Sequence, residues 1–459
     1  MSSKKYTFGF MATILALSLG LTACGTNNNA IGGNQTSLEN LKTNNTVISG
    51  KPQASLVSFK TKKTEEKAED KNAIRPFKVN IPEAELKDLR DRIKATRWPE
   101  KEPVSDQSHG VQLDTIKSLA KYWANDYDWR KVEKKLNSYP QFVTEIDGLD
   151  IHFIHVKSKH KGAMPIVITH GWPGSIIEQL KLIDPLTNPT AYGGKAEDAF
   201  DVVIPSMPGY GFSERADTTG WGPDHIAKAW DVLMKRLGYN KYVAQGGDWG
   251  ALVTELMGVQ APKGLIGIHT NMPGVIPPDV DKALWSGAPV PPGLSADEEK
   301  AFNQVRENKF GYSYIMGTRP QTLTAMVDSP IGLASIMIDH DWKSYELISR
   351  VFAGQKEGLT RDDILDNITL FWLTKTGVSS SRLYLENKFS FFGVKGVTKV
   401  PVAVSVFPDE LYEAPKSWAE KAYTNLIYYN KVDKGGHFAA WEQPALLTSE
   451  LRKAFKTLR

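Results

Sequence analysis

Cysteine is almost missing from this 459-residue chain: Cys24 is the only one. No disulfide can form within it, so an oxidising compartment is neither contradicted nor exploited. Charge of one sign is equally scarce. The 56 basic and 52 acidic residues leave a formal net charge of +4, and no basic face with interleaved aromatics stands out, which argues against nucleic acid as a partner. The chain also lacks a long hydrophobic run. Its best candidate, Phe8 to Leu21, is shorter than the ~20 residues a membrane-spanning helix needs. Histidines number only nine, no cluster of them has metal-ligand spacing, and the glycines of GYG and GGDWG read as turns rather than a phosphate loop. What remains is ordinary. With 41% hydrophobic and 24% charged residues, the bulk of the chain is globular, neither disordered nor a multi-span membrane protein.

The N-terminus, MSSKKYTFGFMATILALSLGLTACG, carries Lys4 and Lys5, then the apolar stretch, then small residues. This is a secretion signal over residues 1–23. Leu21-Thr22-Ala23-Cys24 resembles the lipobox of bacterial lipoproteins, in which the cysteine is lipidated and becomes the new N-terminus. The expectation is an exported protein, anchored to the cell envelope by Cys24. Residues 24–73 are rich in Asn, Thr, Ser, Gly and Lys and read as a disordered tether. A module over residues 74–141 follows, with Leu86, Leu89 and Ile93 at helical spacing and further amphipathic helix near Leu113 and Trp129. Nothing in it forms a catalytic cluster, so it reads as a packing module.

From Phe142 the pattern becomes β-rich. FVTEIDGLDIHFIHVKS predicts a hairpin with Asp147-Gly148 as its turn. PIVITHGWPG, FDVVIPSMPGYGFS, YVAQGGDWG and LIGIHTNMP are apolar runs that end in Gly- or Pro-rich loops, mostly with helix between them. Buried parallel strands alternating with helices mark an α/β sheet. Residues 142–273 and 396–459 are its core. Residues 274–395 break the rhythm, and an insertion there would lie over the ligand crevice as a helical lid.

Within YVAQGGDWG, the frame Gly246-x-Asp248-x-Gly250 has the spacing of a nucleophile elbow, a sharp strand-to-helix turn that lifts one side chain above the sheet. The bland alternative is an Asp that caps the following helix. Aspartate in place of the usual serine changes the chemistry: a carboxylate attacking an acyl group gives an unstable anhydride, but at an sp³ carbon it gives an ordinary ester. Hydrolases of this fold place nucleophile, acid and histidine in that chain order. His437, in DKGGHFAAWEQP, is the base candidate. Asp409 and Glu410, after the strand VPVAVSVF, are the acid candidates. His170, in THGWPG, sits at the oxyanion-loop position and is expected to hold loop geometry.

The chain resembles the microsomal-type epoxide hydrolases, related to the juvenile hormone epoxide hydrolases, over about residues 74–459. PFKVNIPEAELKDLRDRIKATRWP is similar to that family's N-terminal domain, and HGWPGS, PSMPGYGFS, GGDWG and GGHFAAWEQP to its catalytic core. The resemblance implies an α/β-hydrolase fold with Asp248 as nucleophile, His437 as base and Glu410 as acid, Asp409 being the fallback. It implies two lid tyrosines, Tyr312 in KFGYSYIMGTRPQTL and Tyr384 in SSRLYLENKF. Tyr314 rivals the first.

On this reading two phenols bind an epoxide oxygen and supply a proton, Asp248 attacks ring carbon, and His437, oriented by Glu410, activates water against the ester. Backbone N–H groups of Trp172 and Trp249 serve the oxyanion. The product is a 1,2-diol, the partners are an apolar epoxide and water, and no metal or organic cofactor is needed. Two alternatives stand beside it. A haloalkane dehalogenase shares the aspartate elbow and would use an indole N–H for halide. A surface-tethered lipoprotein could keep the fold and only bind.

Overall fold

The computed structural model describes residue 70 and residues 72–308 and 310–459. The expected signal peptide, Cys24 and nearly all of the tether lie outside them. One nine-stranded sheet runs through the described residues. In chain order its strands are β1 (Arg75–Phe77), β2 (Gln141–Ile146), β3 (Leu149–Val156), β4 (Met164–Thr169), β5 (Phe200–Pro205), β6 (Tyr242–Gly246), β7 (Leu265–Thr270), β8 (Val402–Val406) and β9 (Leu426–Lys431). Across the sheet the order is β1-β2-β3-β5-β4-β6-β7-β8-β9. The β1, β2 and β3 pairings are antiparallel and all others parallel.

Local chemistry explains these elements. Asp147 and Gly148 both take positive φ, 48° and 88°, the turn that joins antiparallel strands with matching twist. Strands β6 and β8 are buried at every position, as expected of strands covered on both faces. Helices Pro223–Arg236 and Asp248–Gln260 pack on each other, and Ile176–Thr187 packs on Pro444–Ala454. These two groups of helices cover the parallel strands.

The N-terminal module is not wholly helical. Residues Arg75–Phe77 form β1, which adds an edge strand beside β2; the segment is three residues long and holds Pro76, a residue tolerated at a sheet edge and easily missed by periodicity. The three helices of the module, Glu83–Lys94, Leu113–Asn125 and Trp129–Leu136, pack largely against lid helices Pro330–Ile338, Trp342–Phe352 and Arg361–Thr374. Trp123, 1% exposed, donates its indole N–H to Thr369 at 2.9 Å. Tyr122 and Tyr127 donate to Asp362 and Asp366, each at 2.8 Å. The module therefore clamps the lid.

The segment between β7 and β8 is mostly helical, from Pro278–Ser286 to Gly377–Glu386. It rises where the parallel strands end, above the turn that carries Asp248.

Candidate active site

Glycine is required on both sides of Asp248 by close approach. A Cβ at Gly246 would run into the Gly250 carbonyl, and one at Gly250 into the Thr169 carbonyl of the neighbouring strand. Asp248 itself holds φ 50°, a left-handed conformation that costs a residue with a Cβ about 1–3 kcal/mol and persists only where the surroundings impose it. It opens helix Asp248–Gln260 without capping it. Its Oδ1 instead accepts the Trp172 backbone N–H at 2.6 Å, and its Oδ2 faces His437 Nε2 at 3.4 Å. Trp249, next in the chain, sits in the first helical turn, where backbone N–H groups have no partner within the helix.

His437 is 2% exposed and follows Gly435-Gly436 after β9. Its Nδ1 is bonded to Glu410 Oε1. Glu442 brackets this loop, accepting Gly436 N–H and Phe438 N–H at 3.0 Å each. Glu410, 4% exposed, also accepts its neighbour Leu411 N–H at 2.8 Å and the Asn271 amide at 3.4 Å. Asp409 is exposed and contributes only backbone pairing, to Gly435. Of the two acid candidates, Glu410 alone reaches the histidine.

Burial disfavours charge on Asp248 and on His437, but their contacts outweigh it. His437 is held well above the usual imidazole range by Glu410 and Asp248, and Asp248 below the usual carboxylate range by His437. His170 behaves as loop support: its Nδ1 pairs with the Gly171 carbonyl at 2.9 Å, its Nε2 accepts Met207 N–H at 3.2 Å, and burial lowers its pKa to about 4, so it is neutral.

Opposite Asp248, Tyr312 from helix Gly311–Thr318 and Tyr384 from helix Gly377–Glu386 face each other with ring centroids 6.1 Å apart. Tyr312 stacks on Trp172 at 4.8 Å, and Tyr384 meets Trp249 edge-on at 4.6 Å. Burial, reinforced by nearby negative charge, raises both phenols well above their ordinary pKa, which keeps their O–H groups available as donors. Tyr314 is 75% exposed and points away. Asp248 and the two tyrosines line one cavity of about 160 Å³, whose other walls include Trp285, Phe310, Phe391, Phe392 and Leu411.

Several residues of the site escaped the sequence reading. Asn271, at the end of β7, receives the Gln245 amide at 3.1 Å and donates to Glu410. Asn367, on a lid helix, donates to the Pro173 carbonyl at 2.7 Å and accepts from Ser175, fixing the HGWPGS loop. His340, also from the lid, stacks on His437 with centroids 4.5 Å apart. The absence of clustered ligands in the sequence does not carry over to space: donor atoms from Asp248, His340 and His437 lie within 4.8 Å of one another. Two imidazoles and a carboxylate could hold a divalent ion, but such an ion would occupy the carboxylate that faces the substrate cavity.

Comparison with known proteins identifies the family. Residues 74–179 match the epoxide hydrolase N-terminal family, and residues 164–318 the α/β-hydrolase fold family. A Stigmatella aurantiaca protein assigned as an epoxide hydrolase is 49% identical over 84% of this chain and 86% of its own. Epoxide hydrolase 1 of Oryctolagus cuniculus is 36% identical over 83% of this chain and 88% of its own. Among solved structures, the juvenile hormone epoxide hydrolase of Bombyx mori superposes with a TM-score of 0.73 at 33% identity, over 84% of this chain and 95% of the other. Relatives as similar as these, over most of both chains, leave halide release and binding alone without support as the activity. The chain belongs to the microsomal-type epoxide hydrolases of the α/β-hydrolase fold, and it is an enzyme that hydrolyses epoxides.

Proposed function

We propose that this enzyme opens an apolar epoxide through an ester on Asp248 and then hydrolyses that ester with water activated by His437. The observation that carries the reading is the placement of Asp248. One of its oxygens is fixed by Trp172 N–H, the other faces His437, and the phenols of Tyr312 and Tyr384 line the same largely apolar cavity. Tyr312 and Tyr384 donate to the epoxide oxygen and protonate it as the C–O bond breaks, because the departing alkoxide is strongly basic. Asp248 Oδ2 attacks ring carbon from the opposite side. In the second step water gives a proton to His437 Nε2 and its oxygen attacks Asp248 Cγ. The oxyanion rests on the Trp172 and Trp249 N–H groups. The ester C–O bond then breaks, the diol oxygen takes that proton from His437, and the second water hydrogen, left on the Asp248 carboxyl, passes to the phenolate of the tyrosine that protonated the epoxide oxygen, which restores both groups.

A single turnover in ¹⁸O water tests this scheme with styrene oxide. The first diol formed carries oxygen from the enzyme; label in that first diol, drawn directly from solvent, would exclude the ester. Asp248→Asn abolishes diol formation. Export and anchoring through Cys24 belong to the same reading and rest on the Leu21-Thr22-Ala23-Cys24 motif. No helix among the described residues is long and apolar enough to cross a membrane. Palmitate labelling of the full chain, lost in Cys24→Ser, checks the anchor.

A further inference from the structure

The scheme above leaves one buried histidine of the site without a task. His340 is 3% exposed and lies between lid helices Pro330–Ile338 and Trp342–Phe352. Its Nδ1 pairs with Asp341 Oδ2 at 2.9 Å. The other oxygen of Asp341 accepts Ser344 N–H at 2.8 Å, capping the second of these helices. Burial opposes the charge on Asp341, but the His340 contact outweighs it and holds the carboxyl at about 2. His340 is therefore anchored as His437 is, with Nδ1 on a buried carboxylate and Nε2 left over. The structure contains this arrangement twice, Glu410–His437 and Asp341–His340, with the two rings stacked at an interplanar angle of 27°.

Both Nε2 atoms are buried; that of His340 has no partner in the protein, and that of His437 has only the 3.4 Å approach to Asp248 Oδ2, an ion pair that ends when the ester takes the Asp248 charge away. One nitrogen from each ring and a carboxylate oxygen of Asp248 lie within 4.8 Å of one another. A buried polar nitrogen without a partner costs about 1–3 kcal/mol, so a fold that keeps His340 Nε2 in that state beside its nucleophile calls for an explanation, and once the ester has removed the Asp248 charge and His437 is neutral, His437 Nε2 is a second acceptor next to it. Water supplies the explanation. It has two hydrogens, and two acceptors fix both of them, which turns its lone pair in a single direction. Packing alone does not account for the site, because a phenylalanine at position 340 would stack as well without leaving a polar atom unpaired.

We propose that His340 is a water-positioning residue: its Nε2 and that of His437 hold the two hydrogens of the hydrolytic water, aiming its oxygen at Cγ of the Asp248 ester. The inference rests on the ester reading given above. No proton passes to His340. The hydrogen facing His437 moves to His437 Nε2 as the new C–O bond forms, and the hydrogen facing His340 stays on the oxygen, remains on the regenerated Asp248 carboxyl and from there reprotonates the phenolate left by epoxide opening. His340 thus acts in the second half-reaction and has no part in epoxide opening.

The test is single-turnover kinetics with styrene oxide, with the ester followed by intact-protein mass after acid quench. In His340→Phe the ester forms at the wild-type rate and decays of the order of 100-fold more slowly, the loss expected when a reacting group is misdirected. Steady-state kcat and KM fall together, so kcat/KM is unchanged. His340→Gln, whose side-chain oxygen can accept a hydrogen bond, recovers a large part of the decay rate. The amplitude of ester formation counts competent sites, so unfolded protein cannot imitate the effect. Unchanged decay in His340→Phe, equal slowing of formation and decay, or no recovery in His340→Gln would each overturn the proposal. An absence of ester in the wild-type enzyme would instead overturn the Asp248 scheme, and this inference with it.

Discussion

Asp248 is decided at the scale of a single residue, by what its two carboxylate oxygens meet. Oδ1 is committed to Trp172 N–H and Oδ2 faces His437, so a group that could have been a helix cap is aimed at the cavity instead. The phenols across from it carry the first prediction. Tyr312→Phe and Tyr384→Phe each slow ester formation by roughly 10²-fold, within the range for a lost proton donor, and the double variant forms no detectable ester by mass. Protonation of His437 carries the second. Its pKa is raised by Glu410 and Asp248 together, and esterification removes the Asp248 charge. The imidazole is thus easier to deprotonate in the ester than in the free enzyme, and the acid limb of kcat lies at lower pH than the NMR titration of His437 in resting enzyme. Asp248→Asn, which removes the same charge, moves that titration down. Asp248 and His437 were legible in the sequence because chain order and loop context mark them, and the acid was narrowed to Asp409 or Glu410. His340 was not: its neighbours DHDW carry no spacing that ties it to a histidine 97 positions away, and only the lid's docking makes them neighbours.

At the scale of elements, the HGWPGS loop and the lid hold each other. Ser175 caps helix Ile176–Thr187, and Asn367 ties the loop to the lid helix Arg361–Thr374. The first turn of the capped helix carries Glu178, whose Oε2 has no hydrogen-bond partner and whose pKa burial raises to about 8. The sign is fixed by linkage. Glu178 is protonated in the folded state up to about pH 8 but ionises above about 4.5 when unfolded, so its favourable contribution is full below that value and is lost as pH rises through about 8. At about 1.4 kcal/mol per unit, the loss reaches several kcal/mol. Glu178→Gln therefore raises Tm more at pH 8 than at pH 5, checked by calorimetry at both; an equal gain at both would refute a neutral buried carboxyl. The hairpin was legible from Asp147-Gly148 and the helices from their periodicity. Strand β1 was not, because three residues give no period and only pairing with β2 makes them a strand.

At the scale of the molecule, the sheet sets the nucleophile, the insertion after β7 roofs it, and the N-terminal module braces the roof through Trp123, Tyr122 and Tyr127. The resulting cavity is walled by Trp285, Phe310, Phe391, Phe392 and Leu411, and burying apolar surface there stabilises a bound substrate by about 25 cal/mol per Å². Aryl and alkyl epoxides are thus turned over with kcat/KM rising as apolar area is added up to the cavity's limit, whereas an epoxide bearing a carboxylate is not, since its charge would be stripped of water without a counterion. A series from propylene oxide to styrene oxide, with glycidate as the charged member, checks this by diol formation. The sequence by itself determined the α/β-hydrolase core and pointed to Asp248 and His437 as nucleophile and base candidates, because those depend on local turns and on the order of strands along the chain. Only the tertiary structure decided between Asp409 and Glu410, and between Tyr312 and Tyr314, and brought His340 to the site. Each of these choices depends on which way a side chain points when segments distant in sequence pack together, and packing direction is not written in any one segment.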